Sequence, residues 1–268
     1  MFDFEPIYAP LPDREAYLKR IGYEGAVSPD LETLNALIRA HLTHVPFENL
    51  DVYDAGADIP LDTASLFDKI VTRRRGGYCF ELNALFYALL KDIGFDCYPI
   101  AVRVVRASMR RVSPLSHRAT IVTIDGVRYF ADVGFGGPAP HSALELDNPA
   151  EQLSDGQRFF FDKSGGDTVL CRATDSGNER LLQFSEAPVD PIDFLALNEY
   201  QAKSKMSGFR MVRMVNITTE DGAITIMNNV MRVHKNGTTT ETTLSTQEEL
   251  RRALRDHFGI EVDFELKV

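Results

Sequence analysis

One cysteine of this chain lies where the local sequence can make a thiol reactive. Cys79 follows a double glycine and precedes a run in which apolar residues recur every three or four positions from Leu82 to Ile93, before Gly94 ends the pattern. This spacing predicts a helix that begins at or beside the cysteine. The unpaired N–H groups and the positive dipole end of a helix N-terminus favour a thiolate. The sequence therefore predicts Cys79 as a nucleophile.

A predicted hairpin supplies the partners that such a nucleophile needs. Asp125-Gly126 separates two runs rich in β-branched and aromatic residues, which is typical of a two-residue hairpin turn. With this turn, His117 and Asp132 become diagonal neighbours on one face of the sheet, about 7 to 8 Å apart between backbones. A carboxylate beside an imidazole stabilises the imidazolium, which in turn stabilises a nearby thiolate. The three side chains together are suited to nucleophilic catalysis.

At these residues the chain resembles the arylamine N-acetyltransferase family. The similar segments are residues 45–52 (Val-Pro-Phe-Glu-Asn-Leu-Asp-Val), residues 73–83, His117, and residues 132–136 (Asp-Val-Gly-Phe-Gly). The intervals of 38 residues from cysteine to histidine and 15 from histidine to aspartate are also similar to the family's. The resemblance implies a triad of Cys79, His117 and Asp132 that acts by a ping-pong mechanism through an acetyl-cysteine. It also implies acetyl-coenzyme A as donor and arylamines, arylhydrazines or similar aromatic amines as acceptors.

The order of predicted elements, with helices first and strands second, favours the α+β class over a doubly wound sheet. Helices are predicted at residues 14–21, 31–42, 65–73 and 82–93. Strands are predicted at residues 98–105, in the hairpin, at 158–161 and 168–172, and near 209–219, 223–234 and 238–244. A last helix is predicted to begin with a capping box of Ser245 and Glu248 and to end at Gly259.

The resemblance also implies how these elements are organised. It divides the chain into an N-terminal helical bundle that carries the nucleophile (1–94), a middle β-barrel that carries the histidine and the aspartate (95–200), and a C-terminal α/β lid (201–268). The cysteine-protease-like Cys-His-Asp triad is then expected at the junction of the first two parts.

Substrate contacts are predicted from residues near the triad. The aromatic side chains of Phe47 and Phe209 are expected to line the acceptor pocket. Gly134 and Gly136 follow a predicted strand, and their backbone N–H groups are expected to lie near the acyl donor, although a glycine pair after a strand is usually only a turn.

The phosphates of coenzyme A need basic partners in a chain whose net charge is −10. Residues 97–124 contain five arginines and no acidic residue, and Arg110 and Arg111 are the predicted phosphate contacts. A solvated face is the common alternative for such a charge run. Lys203 is a second candidate, because it replaces an uncharged residue of the family's motif beside the cleft.

The resemblance also supports a structural pair at the start of the catalytic helix. Glu48 and Arg75 are predicted to form a buried ion pair that braces this helix N-terminus. Losing one partner of such a pair costs about 3 to 5 kcal/mol. Their predicted role is therefore in folding and positioning.

Composition excludes several other classes of protein. The acidic net charge argues against nucleic acid or an anionic membrane surface as a partner, and no apolar run approaches membrane-spanning length. Three cysteines form a sparse set without metal-site spacing, which suits a reducing compartment, and the N-terminal residues lack the pattern of a signal peptide. A cytoplasmic enzyme without a metal is expected. Cys97 and Cys171 are predicted to lie in the core.

Three other functions use the same residues. A cysteine hydrolase or transglutaminase-like enzyme has the same order of cysteine, histidine and aspartate. An amide synthase that closes a macrocycle would take a polyketide thioester as donor. A binding protein with an inactive triad would show no chemistry at the cysteine. The sequence leaves open the acceptor amine, the length of the acyl group and the oligomeric state.

Overall fold

The computed structural model describes residues 4–105 and 113–268 as a mixed α/β protein with two antiparallel sheets. One cluster of buried apolar side chains lies mainly among the helices of the first third, a second inside the larger sheet, and a third between the smaller sheet and the last helix. Within the described ranges, no helix has the length and apolar character needed to cross a bilayer. The division of the chain at residues 94 and 200 stays a prediction.

Four α-helices lie within the described residues of the first third of the chain. They are α1 (Arg14–Arg20), α2 (Leu31–His44), α3 (Thr63–Phe67) and α4 (Cys79–Ile93). Asp13, Asp30 and Asp62 cap the first three, because each carboxylate accepts a backbone N–H from the first turn. Gly94 ends α4 in the left-handed conformation, with φ of 104°. The predicted helices at 14–21 and 31–42 are confirmed, and the predicted helix at 82–93 extends back to the cysteine.

The helix predicted at residues 65–73 is confirmed as a helical segment, but only its first part is an α-helix. The α-helical part ends at Phe67, and a wider π-helical turn (Asp68–Thr72) follows it. The wider turn carries Lys69, which is buried and pairs with the carboxylates of Asp51 and Glu81. Apolar periodicity cannot reveal such a turn, because it gives no sign that a lysine takes a buried position.

The larger sheet has eight strands and is nearly closed. In chain order they are β2 (Asp96–Val104), β3 (Leu115–Ile124), β4 (Val127–Ala131), β5 (Leu144–Glu145), β6 (Gln152–Ser154), β7 (Gln157–Asp162), β8 (Thr168–Thr174) and β9 (Gly177–Phe184). The order in space is β5-β4-β3-β2-β9-β8-β7-β6. The side chain of Gln152 joins the two edge strands, because it accepts from the backbone N–H of Glu145 and donates to its carbonyl, both at 2.8 Å. The expected barrel is thus confirmed as a barrel-like sheet.

The hairpin of β3 and β4 has the predicted register. Ile124 pairs with Val127 across the turn, and the ladder continues to its last pair just before Asp132. Asp125 and Gly126 both have positive φ, at 50° and 79°, as this two-residue turn requires. The position of the aspartate relative to β3 therefore follows from the turn alone.

The smaller sheet joins a short strand from the first third of the chain to four strands from the last third. Its strands in spatial order are β1 (Phe47–Glu48), β10 (Met214–Thr219), β11 (Gly222–Met227), β12 (Val230–Lys235) and β13 (Thr238–Thr243). The helices of this region are α5 (Phe194–Lys203), α6 (Gly208–Met211) and α7 (Gln247–Phe258). Glu48 of β1 pairs with Val215 of β10. A segment of the first third thus becomes an edge strand of the last sheet.

Three predictions for this region are corrected. The strand predicted near 223–234 is two strands, because Asn228 takes φ of 54° in a turn that no glycine marks. Residues 209–211 belong to α6 and are not part of the strand predicted near 209–219. The last helix begins one residue later than predicted: Thr246, and not Ser245, accepts the N–H of Glu249.

Candidate active site

Cys79 is the first residue of α4, and it is only 2% exposed. Its Sγ lies 3.5 Å from the backbone oxygen of Ser116, the residue before His117. The β3 strand therefore passes directly beside the N-terminus of α4. The predicted position of the cysteine in the first turn of the helix is confirmed.

His117 and Asp132 form a buried pair beside this cysteine. The distance from Nε2 of the histidine to Oδ2 of the aspartate is 2.5 Å, and both residues are buried. Burial alone would lower the pKa of His117, but the carboxylate of Asp132 and a hydrogen bond with Cys79 outweigh it and raise this pKa to about 10. The imidazole is thus charged at neutral pH, and Nδ1 is the nitrogen left for the thiol.

Asn83 joins the helix to the hairpin, and the sequence reasoning gave it no role. Its Nδ2 donates to Oδ1 of Asp132 at 2.9 Å and to the carbonyl of Arg118 at 2.6 Å. Its Oδ1 accepts the N–H of Val133 at 3.0 Å, and the N–H of Gly134 also donates to Oδ1 of Asp132, at 2.8 Å. The aspartate is therefore oriented from both sides. Asn83 is buried four residues after Cys79 on the same helix face, and this spacing is a signal that could have revealed its role.

Replacing Asn83 with alanine is expected to lower kcat/KM by up to about a hundredfold, because a displacement of about 1 Å in a reacting group costs that much. Steady-state rates and the rate of Cys79 alkylation by iodoacetamide measure the effect. Asn178→Ala is the matched control, since Asn178 is an exposed residue of the larger sheet, to which the hairpin of β3 and β4 also belongs. A normal rate in Asn83→Ala would show that Asp132 is held without it.

The glycines after β4 permit a close approach to the helix. A Cβ atom on Gly134 would lie 2.9 Å from the Cα of Cys79 and 2.7 Å from Nδ2 of Asn83, so no larger residue fits without a shift. Gly136 packs in the same way against Phe47 and Asn216. Both glycines line the cleft above the cysteine. Their contact with the acyl donor stays a prediction.

The predicted pair of Glu48 and Arg75 is confirmed as part of a larger group. The NH2 of Arg75 lies 2.7 Å from Oε1 of Glu48 and 2.8 Å from Oδ1 of Asp51. Lys69 lies 2.7 Å from both Asp51 and Glu81. We call these five residues the buried charge cluster. It contains three carboxylates and only two cations.

The charges of the cluster follow from burial and pairing. Burial would raise the pKa of Asp51, but Lys69 and Arg75 outweigh it and lower this pKa to about 2. Burial raises the pKa of Glu81 to about 7, because Lys69 only partly offsets it and two other carboxylates lie nearby. Glu81 is therefore the member that takes up a proton near neutral pH.

The cluster fixes the loop that leads to Cys79. Oε2 of Glu81 accepts the N–H of Tyr78 at 3.0 Å, and the N–H of Glu48 donates to the carbonyl of Gly77 at 2.9 Å. A Cβ atom on Gly76 would lie 1.9 Å from the carbonyl oxygen of Pro46. The double glycine is thus needed for β1 to pass beside the helix N-terminus.

A cavity of about 330 Å³ opens above Cys79 and His117. Phe47 and Phe209 both line it, with their ring centroids 6.1 Å apart, and their contact with an acceptor stays a prediction. The ring of Phe209 also packs edge-on against that of Tyr78, at 5.1 Å. The walls are mainly apolar, which suits an aromatic ligand.

Of the three side chains predicted to contact the phosphates, only Lys203 lies among the described residues. Arg110 and Arg111 lie outside the described ranges. Lys203 does not line the cavity as described, and its ammonium lies 2.7 Å from Asp58 and 3.1 Å from Glu199 on the surface. Its predicted contact with coenzyme A stays a prediction.

The described residues contain no group of three or more potential ligands that could hold a metal ion.

The other two cysteines differ from Cys79 in their surroundings. Burial raises the pKa of Cys97 to about 12, and it also raises the pKa of Cys171. Both are buried in the core, as predicted.

Comparison with known proteins identifies the family to which the chain belongs. A family model described as N-acetyltransferase matches residues 30–267. The chain is 32% identical over 254 residues to the arylamine N-acetyltransferase of Mycolicibacterium smegmatis, which covers 93% of this chain and 92% of that protein.

Solved structures give the same result. The arylamine N-acetyltransferase of M. tuberculosis is 32% identical with a TM-score of 0.87, over 92% of this chain and 94% of that one. The Mycobacterium marinum enzyme, solved in complex with CoA, is 31% identical with a TM-score of 0.86, over 92% of this chain and 93% of that one. From motifs, fold and sequence together, the chain belongs to the arylamine N-acetyltransferase family of enzymes.

Proposed function

We propose that this enzyme transfers an acetyl group from acetyl-coenzyme A to the nitrogen of an aromatic amine or hydrazine through an acetyl-Cys79 intermediate. The observation that carries the proposal is the contact of Cys79 with the buried pair of His117 and Asp132. The CoA complex of the M. marinum relative supports the donor. The names of the relatives support the acceptor class.

In the first half-reaction the Cys79 thiolate attacks the carbonyl carbon of the thioester. The bond from that carbon to the coenzyme A sulfur breaks, and coenzyme A leaves with the proton of the His117 imidazolium. The N–H of Cys79, at the N-terminus of α4, is the first candidate to donate to the oxyanion. The donor and the acetyl-cysteine are both thioesters, so the free energy changes little when the acetyl group moves from one to the other.

In the second half-reaction the amine nitrogen attacks the acetyl-cysteine. His117, now neutral, takes the proton of the amine, and the Cys79 thiolate leaves as the amide forms. Water must be excluded for the amine to be the acceptor, and the apolar walls around Phe47 and Phe209 serve this purpose. This step regenerates the free enzyme, in which the Cys79 thiolate again faces the His117 imidazolium.

The test is a mass measurement on the intact protein after incubation with acetyl-coenzyme A and removal of excess donor. We expect a mass gain of one acetyl group, located by peptide mapping on Cys79, and its loss when an aromatic amine is added. Cys79→Ser should take up no acetyl group, whereas Cys97→Ser and Cys171→Ser should behave like the parent enzyme.

Other outcomes would favour the other functions. Loss of the acetyl group to water at the same rate with and without amine would indicate a hydrolase. An enzyme that accepts no acetyl group from acetyl-coenzyme A but is acylated by a larger thioester would indicate an amide synthase. An acetyl group on Cys97 or Cys171 alone would overturn the mechanism.

A further inference from the structure

The residues next to Cys79 and His117 in the chain do not line the cleft. Tyr78 and Phe80 flank the cysteine, Arg118 follows the histidine, and all three are at most 3% exposed. None of these three side chains lines the cavity above the cysteine. Since side chains alternate between the faces of a strand, Arg118 projects from β3 on the side opposite His117. The reverse side of the active site is therefore packed by a second set of residues.

One face of α5 contacts all three of these side chains. The buried ring of Phe194 lies 6.1 Å from the ring of Phe80, centroid to centroid. The guanidinium carbon of Arg118 lies 4.5 Å from the centroid of the same Phe194 ring. Four residues further along the helix, and so on the same face, Asn198 accepts a hydrogen bond from the hydroxyl of Tyr78. Both the helix that carries the thiol and the strand that carries the imidazole are thus held on α5.

The guanidinium of Arg118 is a buried cation that lies between aromatic rings. Among the residues that the structure describes, no carboxylate pairs with it, and its Nε has no hydrogen-bond partner. Burial lowers the pKa of Arg118 to about 10, so the group stays charged at neutral pH. Its second aromatic neighbour is Tyr87 of α4, whose ring centroid is 5.7 Å away. A buried cation needs a partner, and the faces of these rings supply one, with Phe194 the nearer.

We propose that Arg118 is a positioning residue: its contact with α5 fixes the imidazole of His117 relative to the thiol of Cys79. The inference rests on the proposed function, which gives these two groups their roles. Asn83 of α4 donates to the backbone carbonyl of Arg118 at 2.6 Å, and the guanidinium adds a second attachment, to α5. A displacement of about 1 Å in a reacting group costs about a hundredfold in rate, so both attachments matter.

The first test replaces Arg118 with methionine, which keeps a long apolar side chain and removes the charge. We expect kcat/KM for acetyl-coenzyme A and kcat/KM for the amine to fall by the same factor, about 10- to 100-fold. Each constant reports one half-reaction, and both half-reactions use His117 with Cys79. Alkylation of Cys79 by iodoacetamide at pH 7 should slow as well.

Urea denaturation separates positioning from a role in folding alone. An apolar residue that replaces a buried charge is often neutral or stabilising, so the midpoint for Arg118→Met should stay the same or rise. A residue needed only for folding would lower the midpoint and leave the rate per folded enzyme unchanged.

Phe194→Leu tests the other partner of the contact. It keeps the charge of Arg118 and an apolar side chain on α5, but it removes the ring face. We expect a similar loss in both half-reactions, and the double variant should be no slower than the slower single variant, because both changes break one contact. Arg118→Lys, which leaves a cation beside the ring, should keep more of the rate than Arg118→Met. These two variants carry the test if Arg118→Met does not fold.

Arg172→Met is the matched control. Arg172 is another arginine of the larger sheet, on β8, and its guanidinium donates to Gln157 and Glu179. It does not line the cavity as described, and its replacement should change none of these rates.

Three results would overturn the inference. The first is a normal rate in Arg118→Met or in Phe194→Leu. The second is a double variant in which the two losses multiply, which would show that the residues act independently. The third is a loss confined to kcat/KM for acetyl-coenzyme A, which would make Arg118 part of the donor site. If no aromatic amine is acetylated, the proposed function fails, but the alkylation rate of Cys79 needs no substrate and still measures the positioning.

Discussion

Asp132→Asn is expected to lower the rate of acetyl transfer by about 10⁴, the loss that follows when the carboxylate of a catalytic triad is neutralised. Asparagine keeps the shape of the side chain and can still accept from the N–H of Gly134. It removes the charge that outweighs burial at His117, so the pKa of the imidazole falls. The imidazolium that favours the thiolate is then less populated at neutral pH.

The pH dependence of Cys79 alkylation gives a second readout of this change. In the parent enzyme the imidazolium is present at neutral pH and is lost only as pH rises through about 10, because the pKa of His117 is raised to that value. Iodoacetamide should therefore react at a nearly constant rate between about pH 7 and 9. In Asp132→Asn the imidazolium is less populated, so the rate at neutral pH should be much lower than in the parent enzyme.

Asp147→Asn is the control for this variant, since Asp147 belongs to an exposed ion pair with Arg128 on the same sheet. It should change neither the turnover nor the pH profile. Near-normal turnover in Asp132→Asn would mean that the aspartate is only a structural residue at the end of β4.

Arg75→Met is expected to lower the free energy of unfolding by about 3 to 5 kcal/mol. Arg75 is only 4% exposed, and its removal leaves the buried carboxylate of Glu48 and the half-buried carboxylate of Asp51 with Lys69 as their remaining cation. The loop that carries Cys79 should loosen as well. Urea denaturation measures the stability, and the alkylation rate of Cys79 measures the positioning.

Arg73→Met provides the comparison within the same loop. Arg73 pairs with Asp68, but both side chains are more than half exposed, so this pair is worth less than about 1 kcal/mol. Equal losses in the two variants would show that the buried charge cluster contributes no more than a surface ion pair.

The parts of the site that the sequence predicts depend on local signals. Asp125-Gly126 allows one two-residue turn, and that turn determines the register that brings Asp132 towards His117. The spacing after Cys79 likewise predicts the helix that presents it. Each of these signals acts over a few residues, where backbone geometry leaves few alternatives.

The parts that it does not predict depend on side chains distant in the chain. Lys69, on the π-helical turn, links Glu81 of α4 to the pair of Glu48 and Arg75. The turn at Asn228 lacks the glycine that marks the other turns of this sheet. Asn83 acts only through its contacts with the hairpin of β3 and β4, so the sequence of α4 alone does not reveal its role.

The pairing of β1 with β10 has a consequence for folding during synthesis on the ribosome. Asn49, next to β1, donates to the carbonyl of Phe209, 160 residues further along the chain. Glu48, which pairs with Val215, also donates to the carbonyl of Gly77 beside the nucleophile. Contacts of such high sequence separation require the distant strand to have been synthesised. On the ribosome, β1 therefore lacks its partner strand until the last third of the chain has emerged, and the cleft that Phe47 and Phe209 line together is completed only then.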